Sequence, residues 1–205
     1  MTIVGQGIDR TDGPLKVRGE ARYAGDFSLP GLAHAVIVQS TIAKGTIASV
    51  DTAPAMALPG VLTVLTHRDA PKLPQGGKAA VKPPAGRVMS LLQDDTVQYN
   101  GQPIAVVVAD TFEHALAAAD AVRVRYRIET PQLDFERAKA KSRKPESLPG
   151  ERPPDQAWGD PDRALASAPV RVEATYTTPM ETHNPMEPHA TVAAWDGDRL
   201  TLYDA

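Results

Sequence analysis

Two carboxylates and two imidazoles lie close together in one short part of the chain. The stretch METHNPMEPHATVAAWDG, residues 180–197, contains within nine residues the side chains of Glu181, His183, Glu187 and His189. These side chains are ligand types for zinc or iron, and in an extended chain their equal parity would turn them to one face. Pro185 and Pro188, however, bend the chain and remove backbone donors. The second interpretation, which we favour, is a non-regular segment whose polar side chains satisfy backbone groups around the prolines.

The composition excludes several other kinds of site. The 205 residues contain no cysteine, so thiolate metal sites, protein-bound iron–sulfur clusters and cysteine nucleophiles are excluded within this chain. GQGIDR has no preceding strand and no third glycine, so it is not a dinucleotide-binding fingerprint. The net charge of −3 disfavours nucleic-acid binding. No apolar run approaches the length of a membrane span, and the N-terminus lacks the apolar core of a secretory signal.

The first elements that must position this segment are strands and a short helix. LAHAVIVQST, residues 32–41, is mostly apolar on both faces, which predicts a strand buried on both sides. A short helix over 52–57 should end at Pro59-Gly60, and a strand over 61–66 follows. The stretch 71–88 is so rich in proline, glycine and lysine that it predicts a loop.

A turn, a helix and an alternating strand follow. Asn100-Gly101 predicts a hairpin with a type I′ turn, and Pro103 fits a strand start. Thr111 is a good N-cap for the helix FEHALAAADAV. In VRVRYRI, residues 122–128, the apolar side chains should face inward and the arginines outward. The arginines form either a solvated face, which we favour, or an anion-binding stripe.

The last third of the chain begins with a second proline-rich stretch, residues 131–157, which predicts a linker or surface wrap. Asp160 should cap a short helix, with Pro161 at its first position. VRVEATYTT, residues 170–178, alternates like a strand, and RLTLYDA begins another. A strand that reaches the terminus suggests a domain that continues beyond residue 205.

Four separate segments resemble, in the family's order, the molybdenum-cofactor-binding large subunit of the xanthine dehydrogenase and aldehyde oxidase family. They are DRTDGPLKVRGEARYAGDFSLPGLAHA, IASVDTAPAMALPGVLTVLTHRDAP, LLQDDTVQYNGQPIAVVVADTFEHALAAADAVRVRY and the run from GDPDRALASA to LTLYDA. The resemblance implies an α/β (α+β) chain that carries only the N-terminal part of such a subunit. We expect an N-terminal segment over 1–15, the α/β hammerhead domain over 16–130, a proline-rich linker over 131–158, and over 159–205 the first strands of a molybdopterin-binding domain.

The resemblance also implies chemistry and partners. Members of the family hydroxylate an aldehyde or an N-heterocycle with oxygen from water, and electrons leave through [2Fe-2S] clusters to FAD or another acceptor. We therefore expect molybdenum-molybdopterin, with the cytosine dinucleotide among its forms, held mostly by residues beyond position 205. An iron–sulfur subunit and an FAD subunit would be the partners. The expected location is the cytoplasm, or the periplasm only if a partner carries the export signal. The 205 residues alone should be inactive.

One position departs from the family. A glutamine near the molybdenum oxo group precedes the family's HNPMEPH-like segment, and Glu181 occupies its place here. An amide donates a hydrogen bond, and an ionised carboxylate cannot. Either Glu181 is protonated when the cofactor is bound, or the role of the segment has changed, or the side chain points into solvent. Glu181 is thus the one candidate cofactor-binding residue; no catalytic residue and no metal ligand is expected in this chain.

Two function classes stay open from the sequence. The first is the N-terminal portion of a molybdenum hydroxylase subunit, and the second is a free-standing, non-catalytic hammerhead module that binds a partner protein. The first class predicts an apolar face near the C-terminus, because strands that would cover it lie elsewhere. The residues expected on that face are Val192, Ala194, Leu200 and Leu202.

Overall fold

The chain folds into two compact units. The computed structural model describes residues 4–72, 91–148, 152–156 and 158–204. One unit consists of residues 33–172, and the other joins residues 1–32 to residues 173–205. Except for Pro71 and Lys72, the predicted loop over 71–88 lies outside the described residues.

A three-stranded antiparallel sheet forms one part of the 33–172 unit. Its central strand is β5 (Pro103–Ala109), with β1 (His34–Gln39) on one side and β3 (Val61–Thr66) on the other. Ala105 and Val107 of β5 are completely buried, as expected for the longest apolar run of the chain. Pro103 begins the strand, as predicted, because a residue without an N–H fits best where the ladder starts.

The second sheet of this unit has β2 (Gly45–Asp51) between β4 (Thr96–Val97) and β6 (Arg123–Ile128). The alternation predicted for β6 is confirmed up to its last residue: its three arginines are exposed, while the valine and tyrosine between them are half-buried. Ile128, predicted to face inward, is 73% exposed at the strand end.

Two helices cover the first sheet. α3 (Phe112–Ala121) begins as predicted, since the Thr111 hydroxyl oxygen accepts a hydrogen bond from the His114 backbone N–H at 3.2 Å. α2 (Ala53–Met56) packs beside it. The two helices and the sheet share a core cluster of Ala55, Val64, Val107 and Ala118. The predicted α/β class, based on the switch between strand and helix periods, is confirmed.

The predicted hairpin at Asn100-Gly101 is wrong. Of the two residues, only Gly101 has a positive φ, of 86°, so the turn is not type I′. The strands on either side belong to different sheets, because β4 pairs with β2 while β5 pairs with β1 and β3. The local turn signal was real, but it connects two sheets rather than two neighbouring strands.

The side chain of Gln102 fixes this connection. It is 7% exposed, and its Nε2 donates to the Thr96 carbonyl at 2.7 Å. Its Oε1 accepts a hydrogen bond from the Gln98 backbone N–H at 2.8 Å. A side-chain amide thus supplies one donor and one acceptor where a hairpin would have supplied a backbone ladder.

Two predicted strand features are also wrong. β1 is half-buried on one face only, and Ile37 on the other face is 54% exposed. Residues 170–178 form no regular element, and Val172 and Tyr176 are 84% and 89% exposed. Alternation specifies which side chains share a face, but a strand also needs a hydrogen-bonded neighbour, and no described strand pairs with this segment.

Asp residues cap the short helices between these parts of the chain. The linker contains α4 (Phe135–Lys139), which the sequence analysis missed, with Asp134 accepting from the Arg137 backbone N–H. α5 (Pro161–Ser167) is capped by Asp160 as predicted. No helix among the described residues is long and apolar enough to cross a membrane.

The second unit is built on a β-hairpin. β7 (Thr191–Asp196) and β8 (Arg199–Asp204) pair antiparallel around a two-residue turn in which Gly197 has a φ of 58°. The N-terminal part contributes α1 (Gly13–Val17) and a 3₁₀ turn, Ala24–Asp26, which contacts both strands. The expected single apolar face is wrong, because Val192 and Ala194 lie on one face of the hairpin and Leu200 and Leu202 on the other. Val192 is buried and Ala194 half-buried, while Leu200 and Leu202 are 42% and 55% exposed.

Candidate functional site

Residues 180–190 form no helix or strand, and they fold around an open depression. Asn184 has a φ of 40°, which turns the chain between the two glutamates. The depression has a volume of about 570 Å³, and it is lined by Glu181, Thr182, His183, Asn184, Pro185, Glu187, Pro188 and His189. The favoured interpretation of this stretch as a non-regular segment therefore agrees with its conformation.

Glu187 is the one lining residue that is half-buried, while the others are exposed. Its Oε1 accepts a hydrogen bond from the Ala24 backbone N–H at 3.2 Å. The donor lies in the 3₁₀ turn, and Ala24 is only 6% exposed. The glutamate therefore satisfies a backbone group 163 residues away in sequence, rather than one around the neighbouring prolines.

The 3₁₀ turn is itself held in place by local and tertiary contacts. The Asp26 carboxylate accepts from the Tyr23 backbone N–H at 2.8 Å. The Phe27 ring stacks on the Tyr203 ring of β8, with centroids 4.1 Å apart. Gly25 approaches Ala190 so closely that a Cβ at Gly25 would lie 3.3 Å from the Ala190 Cβ. The wall of the depression thus contacts a turn that packs on the β7–β8 hairpin.

The lining side chains suit a polar ligand better than a bare metal ion. Among the described residues, no three His, Asp or Glu side chains come together to hold a metal. Glu181 is exposed and its carboxylate has no hydrogen-bond partner within the described part of the chain. Thr182 and Asn184 add a hydroxyl and an amide. A cofactor that brings its own metal ligands would find hydrogen-bonding groups and open space here.

Acidic groups with displaced pKa values lie outside this depression. Hydrogen bonds from Lys16 and Arg10 lower the pKa of Asp12 to about 2. In the other unit, the hydrogen bond from the Thr66 hydroxyl lowers the pKa of Asp69, and the hydrogen bond with His114 lowers that of Asp110. These carboxylates make local structural contacts, at the end of β3 and at the start of α3.

The sequence analysis singled out the segment that lines the depression, but not its internal arrangement. The equal parity of the four ionisable residues suggested one common face, yet Glu187 turns to Ala24 while Glu181 stays in solvent. No local pattern could have revealed the Ala24 partner. The one local hint was that Glu187, a side-chain hydrogen-bond acceptor, lies between two prolines.

Comparison with known proteins gives the segment a context. Residues 18–130 match the family model described as "Aldehyde oxidase and xanthine dehydrogenase, a/b hammerhead domain", and residues 145–205 match "Molybdopterin cofactor-binding domain". The depression lies within the second match. Among solved structures, quinoline 2-oxidoreductase from Pseudomonas putida 86 superimposes with a TM-score of 0.75 at 26% identity, over 97% of this chain and 26% of that one.

Curated relatives show the same pattern. The chain is 42% identical over 205 residues to the aldehyde oxidoreductase molybdenum-binding subunit PaoC of Escherichia coli O157:H7, covering 99% of this chain and 26% of that subunit. It is 30% identical over 202 residues to the nicotinate dehydrogenase large molybdopterin subunit of Eubacterium barkeri, covering 97% of this chain and 46% of that subunit. The chain thus spans between a quarter and a half of these relatives' lengths. From the hammerhead match over more than half of its residues, the chain belongs to the aldehyde oxidase and xanthine dehydrogenase family.

Proposed function

We propose that the chain serves as the N-terminal portion of a molybdenum hydroxylase subunit, which hydroxylates an aldehyde or an N-heterocycle with oxygen from water. The similar subunits from Escherichia coli and Eubacterium barkeri belong, by name, to an aldehyde oxidoreductase and a nicotinate dehydrogenase. Those names supply both substrate classes, and the higher identity favours the aldehyde. Electrons would pass to an iron–sulfur subunit and then to an FAD subunit in the cytoplasm.

The proposed organisation follows the family. An N-terminal segment, 1–15, precedes the hammerhead domain over 16–130, the linker over 131–158 separates it from residues 159–205, and these begin the molybdopterin-binding domain. The 3₁₀ turn at Ala24–Asp26 contacts β7 and β8, so residues from both ends of the chain contribute to the unit that carries the depression.

The observation that carries the proposal is an open depression inside the stretch that matches the molybdopterin cofactor-binding domain, with Glu181 on its wall and without a hydrogen-bond partner among the described residues. When bound, molybdenum-molybdopterin, in its cytosine dinucleotide or another form, supplies the redox chemistry. The residues of this chain would bind and orient only part of it. A protonated Glu181 carboxyl can donate one hydrogen bond to an oxygen acceptor, as a glutamine amide would, and Thr182 can donate another.

Variants of Glu181 in the purified holoenzyme test this proposal. Glu181→Gln keeps a donor at the same place, so we expect turnover to be retained or improved. Glu181→Ala removes it and should raise the activation free energy by about 1–3 kcal/mol, the cost of one buried hydrogen bond. Turnover should be measured by dye reduction with an aldehyde and with an N-heterocycle, and normalised to molybdenum content.

A matched control comes from the same unit. Glu173 is exposed and has no hydrogen bond or ion pair within the described residues, so Glu173→Ala should match the parent. If Glu181→Ala and Glu181→Gln both turn over like the parent at full molybdenum loading, Glu181 lies away from the cofactor and the proposed role is wrong.

A further inference from the structure

Residues 180–189 are attached to the rest of their unit by very few hydrogen bonds. In the described part of the chain, the bond between the Ala24 N–H and Glu187 Oε1 is the only hydrogen bond that joins this segment to another element. Pro185 and Pro188 have no N–H to donate. The segment pairs with no described strand, so this one hydrogen bond provides most of its polar attachment to the rest of the unit.

The partner of that contact is fixed. Ala24 is buried at 6% exposure, Asp26 caps the 3₁₀ turn, and Phe27 stacks on the hairpin. A Cβ at Gly25 would lie 3.3 Å from the Cβ of Ala190, the residue that precedes β7, so the turn and the hairpin are in close contact there. Glu187 therefore bonds to a support that already rests on the β7–β8 hairpin.

We propose that Glu187 is a positioning residue, which fastens the segment to the 3₁₀ turn and thereby sets where Glu181 stands. The predicted effect on turnover rests on the proposed function, whereas the anchoring itself does not. Glu181 lies six residues before the anchor, beyond the turn at Asn184, and its carboxylate makes no hydrogen bond or ion pair among the described residues. Loss of the anchor would leave Glu181 free to move by more than the small displacements that catalytic geometry tolerates.

Hydrogen exchange on the cofactor-free protein tests the anchoring. Glu187→Ala should increase the exchange rate of the Ala24 amide by about tenfold, because this N–H of a buried residue loses its acceptor. Glu187→Gln keeps an oxygen acceptor and should exchange within about threefold of the parent. Gly25→Val, which forces the turn away from Ala190, should reproduce the effect of Glu187→Ala from the other side. Glu173→Ala is the control.

Turnover in the holoenzyme tests the link to Glu181. Glu187→Ala should lower kcat by about 10- to 100-fold per bound molybdenum, with a smaller change in KM. In a Glu181→Ala background, Glu187→Ala should add little further loss, because both substitutions remove the same positioned group. Full additivity would indicate a merely structural role and would overturn the proposal.

The two readouts separate this inference from the proposed function. Unchanged exchange in Glu187→Ala overturns the anchoring, whatever the enzyme does. Increased exchange with parental turnover per molybdenum overturns the positioning role. If Glu187→Ala increases exchange but the protein binds no molybdenum and oxidises no substrate, the anchoring stands. The proposed function, and with it the role of the anchor in catalysis, would then be refuted.

Discussion

Gln102 offers the sharpest test of how the two sheets of the 33–172 unit are joined. Its buried side chain donates to Thr96 O at 2.7 Å and accepts from Gln98 N at 2.8 Å. Gln102→Ala removes both bonds, one to Thr96 of the two-residue strand β4 and one to Gln98 just beyond it. At about 1 kcal/mol for each bond, plus the cost of the unsatisfied groups, the free energy of unfolding should fall by about 2–4 kcal/mol.

The same two hydrogen bonds predict how the stability of a second variant, Gln102→Glu, should change with pH. At pH 7 the substitution Gln102→Glu keeps the acceptor but replaces the donor with a carboxylate oxygen that faces the Thr96 carbonyl. The variant should therefore be at least as unstable as Gln102→Ala at neutral pH. As the pH falls and the carboxylate is protonated, a donor returns, and the deficit relative to the parent should shrink.

Urea unfolding followed by far-UV circular dichroism measures both effects. Gln39→Ala is the control, because Gln39 is an exposed residue of β1 whose side chain makes no hydrogen bond among the described residues. It should change the unfolding free energy by less than about 0.5 kcal/mol. A Gln102→Ala variant as stable as Gln39→Ala would show that the backbone alone holds the turn.

Three further expectations concern other contacts. Gly60→Ala should lower the free energy of unfolding in urea by at least about 1–2 kcal/mol, because a residue with a Cβ is strained at the Gly60 φ of 76°. The loss should exceed that of Gly101→Ala, because only at Gly60 would the added Cβ lie 2.2 Å from the Asp110 carboxylate. Equal losses would contradict the predicted clash. Because the pKa of Asp69 is lowered in the folded protein, its carboxylate should stabilise the fold above pH 3.8, and this stabilisation should be lost as the pH falls through the lowered pKa. When stability is followed during acid titration, Asp69→Asn should lack that loss. Phe27→Leu should remove about 0.5–1.5 kcal/mol of ring stacking, read from thermal unfolding by near-UV circular dichroism, and an unchanged melting temperature would argue against the stack.

Local chemistry was enough to predict the elements whose signals are complete within a few residues. Thr111 was identified as an N-cap because its hydroxyl reaches a backbone N–H three residues later, and that bond is present. β6 was identified by alternation, which needs no knowledge of its neighbours. Pro103 was placed at a strand start because it cannot donate to a ladder.

The missed helix α4 has a local cap at Asp134, but the larger errors concern partners that are distant in the chain. Asn100-Gly101 is a turn, but the sequence does not say that β4 pairs with β2 rather than with β5. Residues 170–178 alternate like a strand, but alternation does not supply a neighbour. The contact between Glu187 and Ala24 joins residues 163 positions apart, so it depends on the tertiary arrangement of two segments that share no local pattern.

The central claim is that residues 180–189 face the molybdenum cofactor. An anomalous difference map recorded at the molybdenum edge, from crystals of the holoenzyme, tests it most directly. We predict one strong peak beside the depression, close enough for a ligand of the metal to accept a hydrogen bond from Glu181. A peak remote from residues 180–189, with Glu181 in bulk solvent, would contradict it.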